Sequence, residues 1–150
     1  MMVRYIRTDS SNADFIELVR LLDMDLAIRD GDDHSFYAQF NKTHLLSQAL
    51  VAYMNNEPVG CGALKAFDPE TMEVKRMYVA DPYRRMGIAR GVLGELEKWA
   101  AELGVIHLVL ETGKNQPEAI NLYNRSGYQV TENYGQYIGI ENSICFRKTL

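Results

Sequence analysis

Cysteine is scarce in this sequence: only Cys61 and Cys145 occur, and they lie far apart. Their separation matches no metal-ligand spacing, so the sequence predicts no metal site. Both lie in strand-like runs, where cysteine behaves as a small hydrophobic residue. A reduced, intracellular protein, which we take as cytoplasmic, is therefore the expectation.

Long apolar runs and an excess of positive charge are also missing. No run reaches the ~20 apolar residues of a transmembrane helix, and the opening "MMVRYIRTDS" has no apolar segment of the secretory type. The formal net charge is -4, whereas a nucleic-acid binder normally carries a broad basic surface. We therefore expect neither a membrane nor a nucleic-acid partner.

The sequence also lacks repeats, low-complexity tracts and a Pro/Gly/Ser-rich linker, so no domain boundary is indicated. With 150 residues, of which 47% are hydrophobic, the chain is long enough to bury a core. We expect a single domain over residues 1–150.

Strand and helix periodicities alternate along the chain. Val3 to Thr8 alternates as a strand does, and apolar residues then recur at helical spacing behind candidate N-cap residues Asp9, Ser10 and Ser11. A short second helix is predicted around Phe36 to Phe40. Turn residues divide the next stretch into three antiparallel strands near 48–54, 58–67 and 71–80.

The second half of the sequence predicts a parallel unit. A helix beginning near Ile88 ends before Gly104, "VIHLVLE" is a buried strand, and a helix runs from Pro117 to Gly127. Two closing strands are predicted at 128–131 and 143–148. The predicted order is β-α-α-β-β-β-α-β-α-β-β, a mixed α/β fold with one sheet and a right-handed βαβ crossover.

The stretch "PYRRMGIARG" places two arginines and two glycines where the crossover helix begins. The first N–H groups of a helix have no intrahelical partner and lie at the positive end of its dipole. Gly87 permits close approach to the backbone, Ala89 keeps the next position small, and Arg84 and Arg85 add charge. This pattern is typical of a pyrophosphate site. A tight turn with two solvated arginines is the alternative.

Two segments resemble conserved segments of the GNAT superfamily of N-acetyltransferases. Arg84-x-x-Gly87-x-Ala89 is similar to that family's acetyl-CoA signature, and "NQPEAINLYNRSGY" is similar to its second segment. The predicted element order also matches the GNAT fold over the whole chain. The resemblance implies a GNAT-like fold and a CoA-dependent N-acetyltransferase with acetyl-CoA as co-substrate.

The resemblance also implies which residues bind the cofactor. The pyrophosphate would lie on the turn formed by Arg84, Arg85, Met86, Gly87, Ile88 and Ala89. The pantetheine arm would pair with the strand backbone at Met77, Tyr78 and Val79. Asn115 would hold the pantetheine or a water, and it could equally cap a helix. Gly91 and Gly94 lie beyond the signature, where we expect them to allow close packing of the helix on the sheet, although neutral drift explains them equally well.

Acetyl transfer to an amine needs a base, donors for the oxyanion and an acid for the leaving thiolate. Tyr123 is the predicted acid, with a packing tyrosine as the alternative, and backbone N–H near Tyr78 or Val79 is the expected oxyanion donor. The spacing of Glu73 before Arg84 resembles that of family members with a strand glutamate as base, so the resemblance implies Glu73 as the base; a solvated glutamate paired to a cross-strand lysine is the alternative. Glu111 is a second candidate base, whereas His107 is expected to be a core residue.

The predicted acceptor is a primary amine of a small molecule or peptide, held near the first helices. Five acidic residues lie there and only Arg29 offsets their charge: Asp23, Asp25, Asp30, Asp32 and Asp33. They would attract a cationic substrate, and an exposed polar loop is the alternative. His34 and His44 either line this site or are solvated. A non-catalytic CoA-binding module, a nucleotide- or phosphoprotein-binding domain and an acetyl-cysteine mechanism are the alternatives, and the sequence leaves open whether the chain forms a homodimer.

Overall fold

One seven-stranded sheet with helices on both faces forms the framework of the protein. The computed structural model describes residues 2–31 and 45–150. The helix predicted around Phe36 to Phe40 lies outside the described residues. The strands are β1 Val3–Thr8, β2 Gln48–Met54, β3 Glu57–Asp68, β4 Thr71–Val79, β5 His107–Gly113, β6 Gln129–Thr131 and β7 Ser143–Thr149, and the helices are α1 Ala13–Asp30, α2 Ile88–Glu102 and α3 Pro117–Arg125.

The strand order in the sheet is β1-β2-β3-β4-β5-β7-β6. Strands β1 to β4 form an antiparallel meander, and β4 pairs with β5 in parallel after the crossover through α2. Strand β7 then inserts between β5 and β6, antiparallel to both. The predicted fold class, a mixed sheet with one parallel βαβ unit, is confirmed. None of the described helices is long and apolar enough to cross a membrane.

Helix α1 begins one residue later than its predicted caps. The side chain of Asn12 accepts a hydrogen bond from the backbone N–H of Phe15 at 3.0 Å and is the N-cap. Asp9 instead accepts from the backbone N–H of Ser11 at 2.8 Å, and Ser10 Oγ accepts from the N–H of Leu46 at 2.8 Å. The prediction of Asp9, Ser10 or Ser11 as cap was wrong, because Asp9 and Ser11 bond to each other within the preceding turn and Ser10 bonds to Leu46.

Apolar residues cover both faces of the sheet. The face under α2 and α3 carries the larger cluster, which includes Leu50, Leu64, Leu96, Leu108 and Phe146. The opposite face packs against α1 through Phe15, Leu18, Val51, Cys61 and Ala63. Burial on both faces fixes the strand register, because a shift of one residue would exchange the two clusters.

A β-bulge bends β4 in its second half. Cys61 of β3 lies opposite Tyr78 and Ala63 lies opposite Lys75, so two residues of β4 face Gly62 alone. One of those two, Arg76, has a φ of +60°, and its carbonyl accepts a hydrogen bond from Cys61 Sγ at 3.3 Å. A bulge kinks its strand and increases the local twist. In the described structure, pairing of β4 with β5 ends at Glu73 and Val109, and the two strands separate beyond that point.

The two helix glycines that follow the basic turn have different surroundings. A Cβ on Gly91 would lie 1.9 Å from the hydroxyl oxygen of Tyr5 in β1, so α2 packs closely on the sheet there. A Cβ on Gly94 would meet nothing within 4 Å among the described residues. The packing interpretation is therefore confirmed for Gly91 and wrong for Gly94, which faces open space.

Alanine at these two positions should have opposite effects on stability. We expect Gly91→Ala to lower the free energy of unfolding by ~1–3 kcal/mol, because the methyl group displaces Tyr5 from a packed site. Gly94→Ala should raise it by up to ~1 kcal/mol through helix propensity. Urea denaturation followed by circular dichroism measures both. A Tyr5→Ala background should remove the penalty at Gly91, and equal stability of the two alanine variants would contradict this account.

Candidate functional site

A cleft of about 1060 Å³ opens where β4 and β5 separate. Its walls come from these two strands, from the turn after β4 and the N-terminal end of α2, from α3, and from the C-terminal half of α1. Most of the predicted site residues line it: Glu73, Met77, Tyr78, Val79, Arg84, Arg85, Gly87, Ile88, Ala89 and Tyr123. In the described part of the chain, Met86 and Asn115 are not lining residues. Asn115 is exposed, and its amide nitrogen lies 3.4 Å from the carbonyl of Arg29.

The start of α2 forms one end of the cleft. Gly87 is the N-cap, with a φ of +80° that L-residues rarely adopt. Among the described residues, no side chain caps this helix, and a Cβ on Gly87 would meet nothing within 4 Å. The first backbone N–H groups of α2, at the positive end of its dipole, are therefore approachable from the cleft. This end of the cleft can bind an anion.

Arg84 is fixed beside that helix start by several contacts. Its Nε donates to the carbonyl of Val79 at 2.9 Å, and its guanidinium lies 5.6 Å from the centre of the Tyr78 ring. Carboxylate oxygens of Asp81 and Asp25 lie 3.4 and 3.8 Å from its terminal nitrogens. Arg84 is therefore held in place, whereas Arg85 is exposed at the cleft wall. The alternative of solvated arginines therefore describes Arg85 but not Arg84.

Ion pairs link α1 to both sides of the cleft. Arg29 forms a two-pronged contact with Glu118 of α3, at 2.7 and 3.2 Å, and its Nε lies 3.3 Å from Asp25. The hydrogen bonds from Arg29, together with one from the backbone N–H of Glu118 itself, lower the pKa of Glu118 to about 2. With the Asp25–Arg84 contact, these residues connect α3, α1 and the basic turn.

The acidic residues of α1 are more fully neutralised than the sequence indicated. Asp23 pairs with Arg76 at 2.8 Å, and Asp25 contacts Arg84 as well as Arg29. The expectation that Arg29 alone offsets this group was wrong, because the fold brings two arginines from β4 and the following turn. The side chain of Asp30, together with Asp32, Asp33, His34 and His44, lies outside the described residues.

Tyr123 is a buried residue of the cleft wall, 5% exposed. Its ring packs against Tyr128 and Phe146, with centroid distances of 5.9 and 5.7 Å. Burial, reinforced by the Glu111 carboxylate, raises the pKa of the Tyr123 phenol well above its ordinary value. The side chain is therefore a protonated donor at neutral pH. The packing alternative describes its ring contacts, and the predicted role as an acid stays a prediction.

Glu73 lies in the same cleft and is only 4% exposed. Its Oε2 accepts a hydrogen bond from the hydroxyl of Tyr134 at 2.6 Å and lies 4.0 Å from Nζ of Lys75. Burial lowers the pKa of Lys75, while the carboxylates of Glu73 and Glu111 oppose that shift. The solvated part of the alternative was wrong, because the carboxylate is buried. A cross-strand lysine is present, since Lys65 of β3 lies opposite Glu73 in the register, but the closer charge contact comes from Lys75 on the same strand.

Lys75, Tyr134 and Arg29 are cleft or near-cleft residues to which the sequence analysis gave no role at the site. Lys75 could have been found, because side chains two residues apart on a strand share a face. Tyr134 lies in the segment between β6 and β7, where no helix or strand periodicity is present. Only the folded chain shows that this segment contacts β4.

The cysteines and His107 lie apart from the described cleft lining. Both cysteines are buried, and burial raises the pKa of Cys61 to about 12 and that of Cys145 to about 11. His107 Nδ1 lies 3.0 Å from the hydroxyl of Thr149, at the paired end of β5. Within residues 2–31 and 45–150, no group of three or more His, Cys, Asp or Glu side chains is arranged to hold a metal ion.

Comparison with known proteins identifies the class to which this architecture belongs. The sequence model of the acetyltransferase (GNAT) family matches residues 15–128, so the chain belongs to that family. YsnE of Bacillus subtilis strain 168, described as an uncharacterized N-acetyltransferase, is 35% identical over 101 residues, covering 66% of this chain and 67% of that protein. The matches to the first curated relatives cover 67%, 58% and 49% of their lengths, so this chain spans about half to two thirds of them.

Solved structures share the whole fold. A Klebsiella pneumoniae protein assigned as an acyl-CoA N-acyltransferase is 29% identical, with a TM-score of 0.83 over 99% of this chain and 98% of that one. A GNAT family acetyltransferase from Elizabethkingia anophelis, solved with acetyl-CoA bound, has a TM-score of 0.70 at 20% identity, over 99% and 98% of the two chains. The resemblance found in the sequence is confirmed.

The burial of both cysteines predicts low thiol reactivity in the native protein. We expect iodoacetamide at pH 8 to modify Cys61 and Cys145 far more slowly in the folded chain than in 8 M urea, because the thiols are inaccessible and their raised pKa values leave little thiolate. Mass spectrometry of timed samples measures the labelling. Rapid stoichiometric labelling of either native cysteine would revive an acetyl-cysteine mechanism.

Proposed function

We propose that this chain transfers the acetyl group of acetyl-CoA to a primary amine of a small molecule or peptide, by direct attack within a ternary complex. The observation that carries the proposal is the cleft itself. It joins an uncapped helix start flanked by arginines to two buried side chains able to move protons, Tyr123 and Glu73. Membership of the acetyltransferase family supports the same reaction.

The residues present fit the diphosphate of CoA. In this proposal the backbone N–H groups at Gly87, Ile88 and Ala89 bind its oxygens, and Arg84 and Arg85 neutralise its charge. The open space at Gly87 and the restrained position of Arg84 support that assignment. The related Elizabethkingia protein was solved with acetyl-CoA, which supports the same ligand here.

The second half of β4 fits the pantetheine arm. In the described structure β4 does not pair with β5 beyond Glu73, and Met77, Tyr78 and Val79 border the cleft. A backbone N–H at Tyr78 or Val79 would donate to the thioester carbonyl oxygen as negative charge develops on it. The bulge at Arg76 supports this role, because it bends this part of the strand away from β5.

Acetyl-CoA supplies an activated acyl group in the form of a thioester. In the proposed reaction the amine nitrogen forms a bond to the carbonyl carbon, and the carbon–sulfur bond breaks. Glu73 accepts the proton that the amine loses, directly or through water, and Tyr123 donates a proton to the departing sulfur. Solvent restores the proton of Tyr123 and removes that of Glu73, so the products are an N-acetyl amine and CoA thiol.

The buried carboxylates favour an amine as acceptor. Glu73 and Glu111 both line the cleft, beyond the arginine-rich end, and an amine is a positively charged group until it gives up its proton. Opposite charges at the two ends of one cleft would direct the anionic CoA and the cationic acceptor to different places. Release of CoA thiol with a panel of amines and peptides tests the proposal. Tight acetyl-CoA binding without turnover on any amine would reduce the protein to a CoA-binding module.

A bulky residue at Gly87 should abolish acetyl-CoA binding. Gly87→Val places a branched side chain where the diphosphate approaches the backbone, and we expect affinity to fall by at least ~100-fold, as when several phosphate contacts are lost together. Isothermal titration calorimetry with acetyl-CoA measures the change.

The control for this experiment is Gly104→Val at the other end of α2. Gly104 has a φ of +83° and open surroundings among the described residues, so it carries the same backbone strain away from the cleft. We expect this variant to bind normally. Equal affinities of the two variants would show that the diphosphate binds elsewhere.

Removal of the Tyr123 hydroxyl should slow turnover without weakening acetyl-CoA binding. We expect Tyr123→Phe to lower kcat by ~10²–10⁴-fold if chemistry limits turnover, the usual contribution of general acid catalysis. Steady-state kinetics and calorimetry separate the two effects. Tyr128→Phe is the matched control, because that buried hydroxyl donates to Glu97 outside the cleft lining and should affect stability alone. Wild-type turnover in Tyr123→Phe would leave Tyr123 a packing residue.

A further inference from the structure

The contacts of the Glu73 carboxylate are unequally divided between its two oxygens. Oε2 receives the hydroxyl of Tyr134 at 2.6 Å and faces Nζ of Lys75 at 4.0 Å. Within the described ranges of the chain, Oε1 has no hydrogen bond or ion pair. Because the side chain borders the cleft, Oε1 is the oxygen left to accept a proton there.

Tyr134 is itself held firmly by the segment between β6 and β7. Its ring makes edge contacts with Phe67 and Tyr137, at centroid distances of 5.1 and 5.8 Å. The preceding Asn133 donates from Nδ2 toward the backbone carbonyls of Tyr137 and Ile140 in this segment and of Ser143 in β7, at 3.0, 3.1 and 3.2 Å. These contacts fix the position from which the hydroxyl donates.

The Tyr134 hydroxyl is a permanent donor. Burial and the adjacent Glu73 carboxylate raise the pKa of its phenol far above the ordinary value, so it is protonated at neutral pH. The hydrogen bond that it donates occupies Oε2. The carboxylate therefore cannot exchange its two oxygens without breaking a buried hydrogen bond.

We propose that Tyr134 is a positioning residue, which holds Oε2 of Glu73 so that Oε1 faces the acceptor amine. This inference rests on the proposed function, in which Glu73 is the base. It adds a residue from the segment between β6 and β7 to a site otherwise built from β4, β5 and three helices.

Several titratable groups surround Glu73 and share its environment. They are Lys65 of β3, Lys75 of β4, Glu111 of β5, Cys145 of β7, and Tyr134 and Tyr137 of the intervening segment, and Arg76 of β4 acts on Lys75. Of these groups, Tyr134 donates a hydrogen bond to the Glu73 carboxylate. Its removal is therefore the change that isolates the orientation of that carboxylate.

The test is Tyr134→Phe, which keeps the ring against Phe67 and Tyr137 and removes only the hydroxyl. We expect kcat to fall by ~10–100-fold, a part of the ~10²–10⁴-fold typical of general base catalysis. The KM for acetyl-CoA should stay the same. The acid limb of the pH–rate profile should move to higher pH, because a donor to the ionised carboxylate is lost.

A double variant shows whether Tyr134 acts through Glu73. Glu73→Gln with Tyr134→Phe should be no slower than Glu73→Gln alone, since a positioned group must be present for its positioning to matter. Tyr128→Phe removes another buried tyrosine–carboxylate bond, at 2.9 Å to Glu97, and should leave the pH–rate profile unchanged. Full additivity of the Tyr134 and Glu73 effects, or an unshifted profile in Tyr134→Phe, would overturn the inference.

A measurement without turnover keeps this inference separate from the proposed function. In ¹³C NMR spectra recorded at one pH, the carboxyl signal that Glu73→Gln removes should change its chemical shift in Tyr134→Phe, because the carboxylate loses a hydrogen bond. An unmoved signal overturns the positioning role even where no acceptor amine is found. Absence of acetyl transfer in the wild type with a moved signal would instead refute the proposed function and leave the Tyr134–Glu73 link supported.

Discussion

The separation of β4 from β5 is the constraint on which the rest of this structure depends. Parallel pairing joins the two strands from Thr71 to Glu73 only, and the bulge at Arg76 then bends β4 away. Two contacts hold that bulge: the ion pair from Arg76 to Asp23 of α1, and the hydrogen bond from Cys61 to the Arg76 carbonyl. A continuous ladder would close the cleft and occupy the backbone groups that now border it.

The same separation places opposite charges at different parts of one cleft. Arg84 and the start of α2 lie at the turn after β4, whereas Glu73 and Glu111 lie on β4 and β5 themselves. Tertiary contacts partly neutralise or hydrogen-bond the charged groups at both places. Asp25 and Asp81 lie beside Arg84, and Lys75 and Tyr134 lie beside Glu73. The cleft is therefore organised by electrostatics in the folded state before any ligand enters.

Local patterns in the sequence predicted the fold and one end of the candidate site well. The strands at 48–54 and 71–79 and the βαβ unit follow from periodicity, and the sequence predicted the open backbone at Gly87. The cap of α1 was misplaced by one residue, because Asp9, Ser10 and Asn12 are equally suitable side chains and only their contacts differ. The prediction of close packing at Gly94 was wrong, because helical periodicity alone does not show which face of α2 contacts Tyr5.

Sequence alone determined the class of this protein, because the turn from Arg84 to Ala89 and the segment around Tyr123 depend on local geometry at a helix start and along one helix face. The tertiary structure decided the surroundings of the reacting groups. Asp23 meets Arg76 across 53 positions, and Tyr134 meets Glu73 across 61. Contacts at such separations leave no periodic trace in the sequence, since they arise only when the twist and bulges of the sheet bring distant segments together.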